Sequence, residues 1–196
     1  MKRNLLRGMV LVLSLAPSAA FAHAGIGTAS GVMHGFMHPI SGLDHLLAMV
    51  LVGLFGYQLG GKALWLLPLS FVAIMALGGV AGAAAISLPF VEIVIALSVV
   101  VLGVTVAAGV KAPVALAMAL VGVFAVFHGH AHGTEMPMNA SGAMYGAAFV
   151  LATALLHATG IGVGAFIGAA GQSYGKSLYR VAGGLAAVVG VALLAG

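Results

Sequence analysis

The chain consists of long apolar stretches separated by very short runs of Gly, Pro and charged residues. A membrane-spanning helix needs about 20 mostly apolar residues. The pattern predicts six such spans, near residues 40–60, 63–86, 89–110, 113–131, 141–170 and 177–195. Because connections this short force neighbouring helices to run antiparallel, and because every backbone polar group must be satisfied inside the bilayer, we expect one compact all-α bundle.

Composition supports the membrane assignment. Of the 196 residues, 63% are hydrophobic and 5% are charged, whereas soluble domains carry about 25% charged residues. The chain has no Cys, which excludes a disulfide framework, a thiolate metal site and a Cys nucleophile. No long polar segment is available for an appended catalytic or nucleic-acid-binding domain. Any chemistry must therefore use His, Asp, Glu and Met.

Residues 1–22 have the features of a secretory signal peptide: a basic start, a short apolar stretch and a small-x-small cleavage site at 20–22. The mature six-span domain would then be 23–196. Three of the seven cations lie in this leader, so its removal lowers the net charge from +4 to +1. The basic character of the chain therefore does not indicate nucleic-acid binding. The alternative is an uncleaved first span.

The cations predict the orientation of the bundle. If the mature N-terminus lies outside, Lys62, Lys111, Lys176 and Arg180 all fall on the cytoplasmic side, as the positive-inside rule requires. We therefore expect a multi-pass protein of the bacterial inner membrane with both termini in the periplasm. Most His residues and all the acids then lie in the outer half, while His157 lies near the middle of the fifth span.

The first cluster of chemically active residues is the run 38–45. Pro39 suits the first turn of a helix, so we expect His38 to cap that helix and a short half-helix to precede the proline. Seven residues separate His38 and His45, which would project from one helix face, with Asp44 beside His45. Imidazoles and a carboxylate that converge in this way favour a divalent cation.

The second cluster is the run 127–135. On a helix, His128, His132 and Glu135 stand at i, i+4 and i+7 and share a face, whereas His130 points away. Ionisable residues inside a membrane are costly and usually functional. The alternative is a solvated His-rich loop that binds metal only adventitiously.

Four further residues are weaker candidates. Glu92 is an isolated acid in an apolar helix, which needs a cation or a proton, or else reaches the interface. His157 could lie on a metal pathway or could simply hydrogen-bond across helices. His34 lies one turn before the first cluster, and His23 could chelate a metal as the mature N-terminus.

His and carboxylate ligands without thiolate suit Ni(II), Co(II) or Zn(II), and the ligand types do not choose among them. Copper is an alternative because thioethers favour Cu(I) and four methionines flank the clusters: Met33, Met37, Met136 and Met138. We expect a transported ion rather than a prosthetic group.

Both clusters resemble the signatures of a known family. The run HPISGLDH at 38–45 is similar to HPxxGxDH, the first motif of the HupE/UreJ family of nickel/cobalt permeases. The run FHGHAHGTE at 127–135 is similar to the second motif of the same family. The resemblance implies secondary uptake of Ni(II), with Co(II) as a second substrate, for nickel enzymes such as hydrogenase or urease. It implies the metal ligands His38, Asp44, His45, Glu92, His128, His132 and Glu135.

The sequence thus favours a transporter with a periplasm-facing site that captures and dehydrates the ion. It argues against an enzyme, since no His is followed by Glu as a zincin requires. A bis-His haem protein would need paired His deep in two spans, and only His157 is near the midplane. Copper transport, efflux and metal binding without transport are the alternatives. The physiological metal, proton coupling and oligomeric state are left open.

Overall fold

The computed structural model describes residues 31–136 and 141–196, and the predicted leader, His23 and Met138 lie outside these ranges. The described residues form an all-α bundle, as predicted. Its helices are α1 (Gly31–Ser41), α2 (Leu43–Leu59), α3 (Ala63–Ala83), α4 (Val91–Ala108), α5 (Val114–Thr134), α6 (Gly142–Ala169) and α7 (Gly171–Ala195).

The helices have the length and composition of membrane spans. Five of them, α3 to α7, are long and apolar enough to cross a membrane, and α1 with α2 forms a sixth candidate span bent by 83°. Large apolar side chains such as Trp65, Leu77 and Phe166 are exposed on the outside of the bundle, where lipid would cover them. The chain is therefore a polytopic membrane protein, and the predicted spans match α2 to α7 except at their ends.

The bend between α1 and α2 corrects one expectation. The helix does not break at Pro39 but continues to Ser41, so His38 lies in its last turn rather than at a helix cap. The chain turns at Gly42, where an added Cβ would meet the Asp44 carboxylate at 2.8 Å. The Asp44 carboxylate also accepts a hydrogen bond from the backbone N–H of His45 at 2.7 Å. Gly42 and Asp44 together therefore fix the turn, and the two histidines of the first cluster lie on different helices.

Glycine allows α3 and α5 to pack backbone against backbone. A Cβ on Gly78 would meet the carbonyl of Val126, and a Cβ on Gly129 would meet the carbonyl of Met75. Four-residue spacing of small residues is typical of such close packing in membranes. His128 and His132 flank Gly129 on α5, so this close packing also brings the His128 ring against Phe71 of α3.

Helix α6 makes equally close contacts with α2 and α1. A Cβ on Gly53 would meet the carbonyl of His157, and a Cβ on Gly160 would meet the carbonyl of Val50. Nearer the end of α6 that carries Tyr145, a Cβ on Gly35 of α1 would meet the Tyr145 carbonyl. These contacts bring the first cluster, on α1 and α2, against α6.

One pair of cations lies at one end of the bundle, as the charge pattern predicts. The ammonium of Lys111 donates a hydrogen bond to the Gln58 carbonyl at 3.1 Å, which joins the ends of α2 and α4. Lys62 lies in the turn that follows α2. The two histidine clusters begin at the opposite end, so the bundle separates its histidines and acids from these two cations.

We expect Gly78→Ala to lower the free energy of unfolding by about 2 kcal/mol, because the added methyl group collides with backbone of α5. The matched control is Gly146→Ala, where nothing lies within 4 Å of the added Cβ. Since Ala is the better helix former, the control should be neutral or stabilised by up to about 1 kcal/mol. Unfolding in mixed SDS micelles measures both. Equal effects of the two substitutions would contradict this account of the packing.

Candidate metal centre

The α1–α2 bend positions the first cluster. The Nδ1–H of His45 donates to the Asp44 carboxylate at 2.9 Å, which leaves the lone pair on Nε2. That Nε2 is buried and has no hydrogen-bond partner among the described residues. Because the carboxylate fixes the tautomer and the ring orientation, Asp44 lies behind His45 in the way that carboxylates support metal-bound imidazoles.

The second cluster lies in the last turns of α5. His128 and His132 are buried on one face of the helix, and Glu135 follows directly after its last residue. His130 faces away, as predicted, and donates from Nε2 to the Ile86 carbonyl at 2.6 Å. His128 and His132 therefore point into the bundle, Glu135 is exposed at the end of the same face, and His130 fastens the α3–α4 connection.

The bundle brings the two clusters together as a line of imidazole rings. The ring centroid of His38 lies 4.7 Å from that of His132, His132 lies 4.3 Å from His45, and His45 lies 4.7 Å from His128. At the outer end, His34 stacks on His38 at 5.5 Å. We name these five rings the imidazole line; they lead from the partly exposed α1 to the interior.

Three ligand atoms come together at the open end of this line. One ligand atom each from His38, His132 and Glu135 lies within 4.8 Å of the others, a grouping that could hold one metal ion. The side chains of His38 and Glu135 are 21% and 54% exposed, so an ion can reach them from outside. We call these three residues the outer group.

A hydrogen bond between His38 and Glu135 sets the charge of the outer group. The Nε2–H of His38 donates to the Glu135 carboxylate at 2.6 Å. This hydrogen bond holds the pKa of Glu135 below its usual value, although partial burial opposes the effect. A carboxylate with a lowered pKa is ionised at neutral pH, so the entrance to the imidazole line carries a negative charge that attracts cations.

The inner end of the line is dry. His128 is fully buried, and its Nε2 lies 3.0 Å from the hydroxyl of Ser98, which itself donates to the Ile95 carbonyl at 2.6 Å. The hydroxyl must therefore accept from Nε2–H, which leaves the lone pair of His128 on Nδ1. Within the described residues neither that Nδ1 nor either nitrogen of His132 has a hydrogen-bond partner. Buried polar atoms are normally paired, so unpaired ones call for a functional explanation.

The remaining candidates lie at different distances from the line. Glu92, near the start of α4, is exposed and lies at the same end of the bundle as Asp44 and Glu135, but it is not part of the outer group. His157 is buried deeper in α6 and contacts Phe71 rather than another imidazole ring. Neither residue is brought into direct contact with the outer group.

Sequence reasoning missed two neighbours of the line. Ser98, which orients His128, is one of two hydroxyl residues of α4, and a hydroxyl in an apolar span was the available signal. Phe149 packs on His132 with a ring centroid distance of 4.1 Å. No pattern distinguishes Phe149 from an ordinary core residue, because its role arises only when α5 and α6 meet.

The fold and this site define a class: a helical membrane protein with buried imidazoles that lead inward from an acidic entrance. A family model described as HupE / UreJ protein matches residues 11–193. Protein HupE of Rhizobium leguminosarum bv. viciae is 50% identical over 181 residues, which cover 92% of each chain. No solved structure matches the chain. The chain belongs to the HupE / UreJ family, as its two motifs indicate.

Replacing His132 by Ala should lower the affinity of the purified protein for Ni(II) by about tenfold or more, because it removes the imidazole at the centre of the line. The matched control is His130→Ala, on the same helix, which removes an imidazole that bonds Ile86 instead. Isothermal titration in detergent measures both affinities. The site assignment fails if the two variants bind Ni(II) equally well.

Proposed function

We propose that the protein takes up Ni(II), with Co(II) as a second substrate, across the bacterial inner membrane. The observation that carries this proposal is the imidazole line, whose rings from His38 to His128 lie 4.3–4.7 Å apart between centroids. Rings at this separation allow an ion to be held by one pair of nitrogens before it leaves the previous pair. Neutral imidazole is a preferred ligand of Ni(II) and Co(II).

Capture begins at the outer group. The negative charge of Glu135 attracts the hydrated dication, and the ion replaces the hydrogen bond between His38 and Glu135. Water carries the Nε2 proton of His38 to Nδ1 of the same ring, so that Nε2 has a lone pair for the ion. His132 then replaces one of the bound water molecules. Because the charge of the ion is partly offset before it loses water, the cost of dehydration is divided into small steps.

Transfer inward uses the buried imidazoles. His45 offers the Nε2 lone pair that Asp44 leaves free, and His128 offers the Nδ1 lone pair that Ser98 leaves free. Asp44 also supplies negative charge close to the ion, and Glu92 adds to the field at the same end of the bundle. In this scheme the carboxylates of Asp44 and Glu92 attract the ion electrostatically and do not coordinate it.

The membrane potential favours inward transfer. In the proposed topology the leader 1–22 is removed, the mature chain 23–196 has both termini in the periplasm, and the outer group faces the periplasm. A potential of 100 mV is worth about 2.3 kcal/mol for each elementary charge, and about twice that for a dication. The protein would thus be a transporter and not an enzyme, and its cargo would supply the maturation of hydrogenase or urease.

The decisive experiment is elemental analysis of Ni, Co, Cu and Zn in cells that express the chain. We expect excess Ni or Co that disappears in the His38→Ala/His132→Ala variant, because this variant lacks both imidazoles of the outer group. His130→Ala is the control and should accumulate metal normally at equal expression. Excess copper would indicate a different substrate, and lowered metal would indicate efflux. Unchanged content of all four metals would contradict transport.

Acid should abolish uptake, because imidazole binds a metal only when it is neutral. Initial rates of Ni(II) uptake, measured between pH 5 and pH 8 with the potential held constant, should fall below about pH 6. A rate that stays flat down to pH 5 would argue against capture by imidazole.

A further inference from the structure

The imidazole line stops before the middle of the bundle. Measured along their own helices at 1.5 Å per residue, His128 lies about 9 Å from the outer end of α5, and His157 lies about 22 Å from the outer end of α6. Phe71 lies about 18 Å from the corresponding end of α3. Because Gly129 of α5 lies against Met75 of α3, Phe71, one turn further from the outer end of α3, stands deeper than His128, the last imidazole of the line.

Phe71 contacts both of these imidazoles. Its ring centroid lies 5.7 Å from that of His128 and 5.3 Å from that of His157, with the His157 ring packed edge to face. Phe71, His128 and His157 are all fully buried. An ion that leaves His128 in the inward direction therefore meets a phenyl ring, which offers it no ligand atom.

Phe71 packs against His157 on the facing helix α6. His157 and Thr153 are one turn apart on α6, and Phe71 and Met75 are one turn apart on α3. The Thr153 hydroxyl donates to the Met75 sulfur at 3.8 Å, which shows that these faces are in contact. His157 is 1% exposed, and among the described residues neither of its ring nitrogens has a hydrogen-bond partner. Two buried, unpaired nitrogens in an apolar core indicate a site for a ligand.

We propose that Phe71 is a gate between two ion sites: the imidazole line on its outer side, and an inner site at His157. This inference rests on the proposed transport function and deepens it. The outer side has the Glu135 and Asp44 carboxylates, whereas the inner site offers only the imidazole nitrogens of His157. An inner site without a carboxylate binds the ion more weakly, and conduction requires a site from which the ion can leave.

The test separates capture from passage. The full-length protein is reconstituted into vesicles that contain a metal-quenched dye, and Ni(II) influx is measured. Equilibrium binding of Ni(II) to the detergent-solubilised protein is measured separately. We expect His157→Leu to bind Ni(II) within about twofold of the unchanged protein, because the outer group is intact, and to lose influx by about tenfold or more.

The gate is tested with Mg(II), a hydrated ion that prefers oxygen ligands and keeps its water. Phe71→Ala should make the vesicles severalfold more permeable to Mg(II), because the phenyl ring no longer blocks hydrated ions. The matched control is Phe55→Ala, since Phe55 is equally buried in α2 and its ring is absent from the imidazole contacts of the described residues. This control should remain impermeable to Mg(II). Retained Ni(II) binding shows that each variant is folded. Phe71→Leu provides the same test of the gate with a smaller loss of side-chain volume.

The outcomes are distinct. Normal Ni(II) influx through His157→Leu would overturn the inner site. An Mg(II) permeability that is unchanged in Phe71→Ala, or equally raised in Phe55→Ala, would overturn the gate. Absence of influx through the unchanged protein, with its Ni(II) binding intact, would overturn the proposed transport function itself.

Discussion

The cost of an unpaired polar atom inside an apolar bundle is the constraint on which the rest of this structure depends. Lipid offers no hydrogen bonds, so a buried imidazole nitrogen without a partner is costly. Here Asp44 and Ser98 each satisfy one nitrogen of a neighbouring ring and leave the other free. The unpaired nitrogens therefore lower the stability of the bundle, but they also supply lone pairs in fixed directions that can bind a metal ion.

Glycine makes this arrangement possible at the level of the backbone. The contacts of Gly78 and Gly129 draw α3 against α5, and those of Gly53 and Gly160 draw α2 against α6. Close backbone contacts replace the hydrophobic driving force that is absent between helices in lipid. These backbone contacts hold the helix pairs together. The imidazoles from α1, α2 and α5 can therefore converge without serving as the polar contacts that join the helices.

Much of the fold and part of the site could be read from the sequence. Apolar length predicted the spans, and helical periodicity placed His128 and His132 on one face with His130 turned away. The helix break was expected at Pro39 but lies at Gly42, because a helix can carry proline in its last turn while the Asp44 contact requires a residue without a side chain. Phe71 and Ser98 could not be assigned, since their roles arise from contacts between helices far apart in sequence.

Helix α6 is in contact with α1 and α2, the two helices that carry the first histidine cluster. At the middle of α6, the glycine contacts with α2 lie at His157. At its outer end, Tyr145 packs against Gly35 of α1, the helix that carries His38. A tilt of α6 about the glycine contact would act as a lever with its pivot at His157. The outer end of the lever would carry α1 with it, so the entrance could tighten around a bound ion or release it while the inner imidazole keeps its place.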